Sequence, residues 1–221
     1  IETDNVLQVA LPQGTSITPN PVIHAANLSI RGTNLDLVRK VYFTGEANPV
    51  TTFVSQSESE IIVKVPPSAT NGVLKLEAPS GVATTVTPGL SVVLPAVAGM
   101  APNPVAPEAN ITITGTNLDL VSSIVFTGVN DAVTTFVSQS SSSLVVKVPK
   151  DALSGKITLN VKNSTLSVKS ANDLAIEGSS VPPIIIYDDA LTSAWNGWVG
   201  GGWGGTVDMS NTSPVRGGTK S

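Results

Sequence analysis

Over much of the chain, apolar side chains come in short runs that alternate with polar ones and stop at turn formers. In "NLSIRG" (27–32) Leu28 and Ile30 alternate with Asn27, Ser29 and Arg31, and "NITITG" (110–115) repeats the pattern with Ile111 and Ile113. A period of two is what a strand with one buried face requires, because successive side chains point to opposite sides of a sheet. "KVYFTG" (40–45) and "SIVFTG" (123–128) predict the next strand and end on Gly45 and Gly128. "EIIVKVP" (60–66) and "SLVVKVP" (143–149) alternate again and stop at a proline, which has no N–H to give to a ladder. "GVLKLEAPSG" (72–81) and "GKITLNVKNS" (155–164) each predict a strand entering a turn; "LSVVLP" (90–95) and "DLAIEG" (173–178) predict a closing strand. "GTN" at 32–34 and 115–117 supplies glycine and asparagine, which tolerate positive φ in a turn.

Each of these strings has its counterpart at a constant offset of 83 residues, and 30 of the 48 positions from Pro19 to Pro66 are identical in the second copy. Solenoid repeats run about 20–50 residues, so a period this long indicates tandem domains. About seven short strands per copy is the count of an immunoglobulin-like sandwich. The predicted fold class is all-β: tandem immunoglobulin-like sandwiches in a rod, followed by a truncated β-sandwich. The expected domains are 13–95 and 96–181, with 182–221 beginning a further domain. "VLQVALP" (6–12) lies in register with "GLSVVLP" (89–95), so residues 1–12 read either as the last strand of a preceding repeat or as an extended leader. "LPQGTSITP" and "LPAVAGMAP" read as short proline-bearing links, stiff rather than flexible.

Composition supports the strand reading: 16 prolines, 19 glycines and 13% charged residues suit short strands and tight turns better than helices. The formal charge of −4, without a basic stripe, argues against nucleic acid as a partner. No apolar run is long enough to span a bilayer, and no secretory leader pattern stands at Ile1. With no cysteine there is neither a disulfide nor a thiolate metal site, which leaves the compartment open.

Hydrolytic or transfer chemistry needs a nucleophile, base or metal in a defined constellation. His24, the single histidine, aligns with Pro107 in the second copy, so it belongs to no duplicated site and is expected to be an exposed loop residue. There is no phosphate-binding "GxxxxGK" loop and no "GxSxG" elbow. Asp36 and Asp119 recur in "GTNLDLV" and are expected to cap a turn. Four sequons (Asn27, Asn110, Asn163, Asn211) matter only in a eukaryotic secretory setting. No catalytic residue, metal ligand or cofactor is assigned, and no enzyme activity is expected of the repeats.

The last forty residues differ. Pro182–Pro183 breaks the pattern, and "IIIYDD" (184–189) reads as a buried strand. "WNGWVGGGWGG" (195–205) then holds all three tryptophans of a chain that is only 4% aromatic. An indole covers the apolar C–H face of a sugar ring while the sugar hydroxyls stay solvated, and glycines let a long ligand approach closely. Trp203, Trp198 and Trp195 are therefore the candidate carbohydrate-binding residues, with Tyr187 read as core. Trp195 and Trp198 also suit strand core positions. Asp188, Asp189 and Asp208 carry oxygens of the kind Ca²⁺ prefers, without enough further ligands for a metal site to be assigned.

"PNPV", "ITITGTNL", "VSSIVFTG", "SLVVKVP" and "ALSGKITLNV", in that order, resemble the IPT/TIG domain, an immunoglobulin-like fold; the resemblance covers about 13–178. "IYDDAL…W.GW" and "NTSPVRGGTKS" resemble the opening of a β-sandwich carbohydrate-binding domain found at the far end of bacterial surface proteins. In that family "GTKS" leads into another strand, so the chain is expected to be a fragment. Together the two parts resemble the surface glycan-binding lipoproteins of Bacteroidota polysaccharide-utilisation systems. The resemblance implies a non-catalytic protein on the outer face of the outer membrane. It also implies a lipid anchor on a cysteine upstream of Ile1, a neutral polysaccharide as ligand, and transport and glycan-degrading proteins as neighbours. Two alternatives stay open: adhesin or spacer domains that bind a protein partner, and accessory domains of a larger glycoside hydrolase.

Overall fold

The structure, a computed structural model, describes residues 10–178. Leu28 and Ile30 are fully buried while Asn27 and Arg31 face solvent, as the alternation requires. The first repeat has seven strands: β1 (Gln13–Thr18), β2 (Asn27–Thr33), β3 (Lys40–Tyr42), β4 (Ser55–Gln56), β5 (Glu60–Lys64), β6 (Gly72–Glu77) and β7 (Ala83–Leu90). They form two antiparallel sheets, ordered β1-β2-β5-β4 and β3-β6-β7. Leu28, Ile30, Ile61 and Val63 from the first sheet meet Val41, Leu74, Leu76 and Val86 from the second in one core.

The second repeat rebuilds this plan with β8 (Ala96–Ala101), β9 (Asn110–Thr116), β10 (Val121–Val125), β11 (Ser138–Gln139), β12 (Ser143–Lys147), β13 (Thr158–Val161) and β14 (Ser167–Lys169). Its sheets run β8-β9-β12-β11 and β10-β13-β14 around a separate core that includes Ile111, Ile113, Ile124, Phe126, Leu144 and Leu159. Both repeats are immunoglobulin-like sandwiches, and the described residues are all-β apart from two single 3-10 turns.

Several strands differ from expectation. The stretches read as links are β1 and β8, each laddered to its own sheet. Proline stands only outside their ends, so the N–H groups between are free to pair. A bulge between Gly14 and Ser16, and another between Val97 and Gly99, breaks the period of two, which hides the strand from a pattern reading. β7 also escaped, because only Val86 and Leu90 along it are buried. The expected closing strands shrink to single parallel bridges, Val22 with Val92 and Val105 with Ile176.

The two "GTN" strings divide their work differently from the expectation. Asn34 and Asn117 take the left-handed conformation, with φ of 54° and 53°, and open the 3-10 turns at 35–37 and 118–120. Their side chains donate to the carbonyls of Leu11 and Leu94. Gly32 is needed for closeness: a Cβ there would lie 1.7 Å from the carbonyl oxygen of Gln13. Asp36 and Asp119 do not cap; their backbone carbonyls accept from Arg39 and Lys162.

His24 is buried at 3% exposure, not exposed. It lies in the turn after Val22, and its Nε2 lies 2.9 Å from the carbonyl oxygen of Ala69. The Nε2–H tautomer satisfies that acceptor; Nδ1 has no partner among the described residues.

Leu94 and Pro95 alone separate the last paired residue of the first repeat from β8, since Val93 N–H still donates to the Val22 carbonyl. The β13–β14 turn of the second repeat also meets the first. The Ser164 hydroxyl donates to the Pro67 carbonyl at 2.6 Å, and Thr165 N–H does so at 2.9 Å.

Candidate functional site

On a strand with one buried face, the outward positions are where chemistry can be displayed. In the first repeat the outward face of the β3-β6-β7 sheet carries Lys40 and Tyr42 from β3 and Val73, Lys75 and Glu77 from β6. The ladder sets Lys40 opposite Glu77 and Tyr42 opposite Lys75. Lys40 Nζ donates to Glu77 Oε1 at 2.7 Å, and the Tyr42 hydroxyl donates to Oε2 at 2.6 Å. Those two bonds, Lys40's first, hold the Glu77 carboxyl below the usual carboxylate range. The bond to Glu77 in turn pushes Lys40 and Tyr42 above their ordinary values. A cleft of about 380 Å³ opens beside the group, lined by Tyr42, Thr44, Val73, Lys75 and Glu77 among others.

The second repeat keeps the frame and changes the chemistry. Ser123 stands opposite Asn160, as Lys40 does opposite Glu77, and Asn160 Nδ2 donates to the Ser123 hydroxyl at 2.8 Å. Val125 and Thr158 occupy the positions of Tyr42 and Lys75. A concavity on this repeat lies elsewhere, a groove of about 500 Å³ lined by Phe136, Val137 and Pro149 among others. Glu108 and Lys147 pair across its rim at 3.5 Å. Val137 is 63% exposed and its counterpart Val54 54%.

Trp195, Trp198 and Trp203, the residues expected to bind carbohydrate, lie outside the described residues, as do Tyr187, Asp188, Asp189, Asp208 and Asn211. Asn27 and Asn110 are exposed at the starts of β2 and β9, and Asn163 holds φ of 54° in the β13–β14 turn. Among the described residues no group of three or more His, Asp or Glu side chains could hold a metal, and no helix is long and apolar enough to cross a membrane. The cluster around Tyr42 was missed in the sequence. It was marked there all the same, because Lys40, Tyr42, Lys75 and Glu77 are positions at which the copies differ.

Residues 95–176 match the IPT/TIG domain, so the second repeat carries the sequence pattern as well as the fold of that immunoglobulin-like family. No curated protein matches the chain in sequence. Among solved structures, the chain is similar to SGBP-B of a Bacteroides ovatus mixed-linkage glucan utilization locus, solved with a mixed-linkage heptasaccharide. That likeness has 21% identity and a TM-score of 0.33, over 75% of this chain and 45% of that one. It is also similar to the surface glycan-binding protein PbSGBP-B of Prevotella bryantii, at 16% identity and a TM-score of 0.35, over 76% of this chain and 43% of that one. A similar likeness, at 20% identity and a TM-score of 0.35, joins it to the extracellular region of plexin A4, over 74% of this chain and 18% of that one. The chain spans less than half the length of each.

Proposed function

We propose that the chain belongs to a non-catalytic polysaccharide-binding protein of the bacterial cell surface. In this reading the two sandwiches form a stalk, and Trp195, Trp198 and Trp203 cover the apolar faces of a neutral glycan. One observation carries it: all three indoles of the chain lie within eleven glycine-rich residues, against six aromatics in all the rest of it. Rings that stack on sugar contribute about 1 kcal/mol each beyond burial, so three together suit capture of a long chain. Capture would raise the local concentration of polysaccharide for neighbouring enzymes and transporters.

The test is affinity electrophoresis of the intact protein through gels loaded with neutral polysaccharides, mixed-linkage glucan among them. At least one should retard the protein, and each of Trp195→Ala, Trp198→Ala and Trp203→Ala should weaken retardation about fivefold. Circular dichroism should show the repeats still folded. Unchanged retardation of the triple variant would overturn the assignment of the indoles. The paired exposed valines, Val54 and Val137, favour a second reading in which the repeats contact a protein. That reading expects the triple variant to keep its partner.

A further inference from the structure

The outward face of the β3-β6-β7 sheet gathers what a sugar-binding surface needs, and the fold does not require it there. Each carboxylate oxygen of Glu77 accepts one bond from its own chain, and each has a second lone pair that a hydroxyl can use. Lys75 is exposed, stands opposite Tyr42 and makes no bond among the described residues, so its three N–H donors are free. The bond from the Tyr42 hydroxyl to Glu77 sets the ring before any ligand arrives, which lowers the cost of binding. The adjoining cleft, about 380 Å³, falls within the range of small-ligand sites, about 300–1,000 Å³.

The second repeat serves as an internal control. Behind the two faces Val41, Leu74 and Leu76 are matched by Ile124, Ile157 and Leu159, all buried. In front, Lys40, Tyr42, Lys75 and Glu77 become Ser123, Val125, Thr158 and Asn160. The same sandwich forms with either face, so the fold does not require the charged and aromatic set. The charge is also informative. Glu77 neutralises Lys40 at 2.7 Å, leaving one ammonium, too little to hold a polyanion.

We propose that this face of the first repeat is a saccharide-contacting subsite, separate from the tryptophans, for one or two units of a neutral glycan. The Tyr42 ring covers a sugar face, Glu77 accepts from hydroxyls and Lys75 donates to them. The class of ligand rests on the function proposed above; the place rests on the geometry of the sheet.

The test gives the first repeat the face of the second: Lys40→Ser, Tyr42→Val, Lys75→Thr and Glu77→Asn combined in the intact protein. This is a set of residues that the fold already tolerates. Alongside it, Tyr42→Phe keeps the ring, and the Trp195/Trp198/Trp203→Ala triple variant removes the indoles. The readouts are affinity electrophoresis on neutral polysaccharides and the amide NMR signals of residues 40–42 and 72–77 during titration with cello- and mixed-linkage oligosaccharides. The combined variant should be retarded about fivefold less, and Tyr42→Phe, which keeps the ring but loses the bond to Glu77 that sets it, should fall between it and the parent. The amide shifts should persist in the triple tryptophan variant.

If the combined variant is retarded like the parent and the signals of residues 40–42 and 72–77 stay still, the subsite is overturned while tryptophan capture stands. If the triple variant binds like the parent and the combined one does not, the subsite stands without the tryptophans. Retardation confined to anionic polysaccharides and abolished by salt overturns the ligand class. If no saccharide retards the protein or moves a signal, both readings fall.

Discussion

Gly32 and Asn34 sit two residues apart and answer different demands. Asn34 supplies the left-handed turn, whereas Gly32 lets two backbones approach, so its replacement should fail by collision rather than by φ. Gly32→Ala is expected to cost about 3 kcal/mol in urea unfolding. Gly81→Ala, at φ +80° with nothing within 4 Å of the added Cβ, should cost only the conformational strain of about 1–2 kcal/mol. Glu77 makes a pH prediction at the same scale. Its folded pKa is lowered, so its stabilising effect is present at neutral pH and is lost as pH falls through the folded value, starting from about pH 4. Lys40 and Tyr42 are raised, so theirs is present at neutral pH and is lost as pH rises above about 10. The melting temperature of the first repeat should fall on both limbs, and Glu77→Gln should flatten them. The Lys40 side chain is 42% exposed, and solvent screening there keeps the effect small.

At the scale of elements, Gln56 and Gln139 explain a string that the alternation left unread, the identical "VTTFVSQS". β4 and β11 are only two residues long, and the glutamine of each reaches back to close the preceding 3-10 turn. Gln56 Nε2 donates to the carbonyls of Leu35 and Val38 at 2.7 and 2.9 Å; Gln139 does the same to Leu118 and Val121, both at 2.8 Å. Gln139→Ala would remove both bonds, leaving the Leu118 carbonyl only the Val121 N–H, and is expected to cost about 1–3 kcal/mol by urea unfolding. The hairpins differ by one position in register, since Lys75 pairs with Thr85 whereas its counterpart Thr158 pairs with Lys169. A slip of one residue turns every later side chain over, so the copies cannot show the same outward face along their last strands.

Across the molecule, the two repeats have separate cores joined through Leu94 and Pro95 and through the Pro67 carbonyl. Damage to one core should therefore stay local. Leu28→Ala, at a position with 0% exposure, is expected to destabilise the first repeat by about 2–5 kcal/mol and leave the second near its parent stability. Differential scanning calorimetry would show one transition falling and one unmoved. A single transition shifted as a whole would mean that the joint couples the cores.

The residues alone determined the duplication, the strands with one regular apolar face, and the immunoglobulin-like class, because a period of two is a local property that any sheet must obey. Leu28, Ile30, Ile111 and Ile113 are marked as core by the alternation alone, and they are buried. The pairing of strands decided the rest. β1 and β8 became visible only against β2 and β9, since a bulge interrupts their alternation. His24 looked like a loop residue until a carbonyl 45 positions away gave its ring a buried partner. Lys40, Tyr42, Lys75 and Glu77 became one surface only when β3 was laid beside β6, because side chains more than thirty residues apart share a face through hydrogen-bond register, which no local pattern encodes.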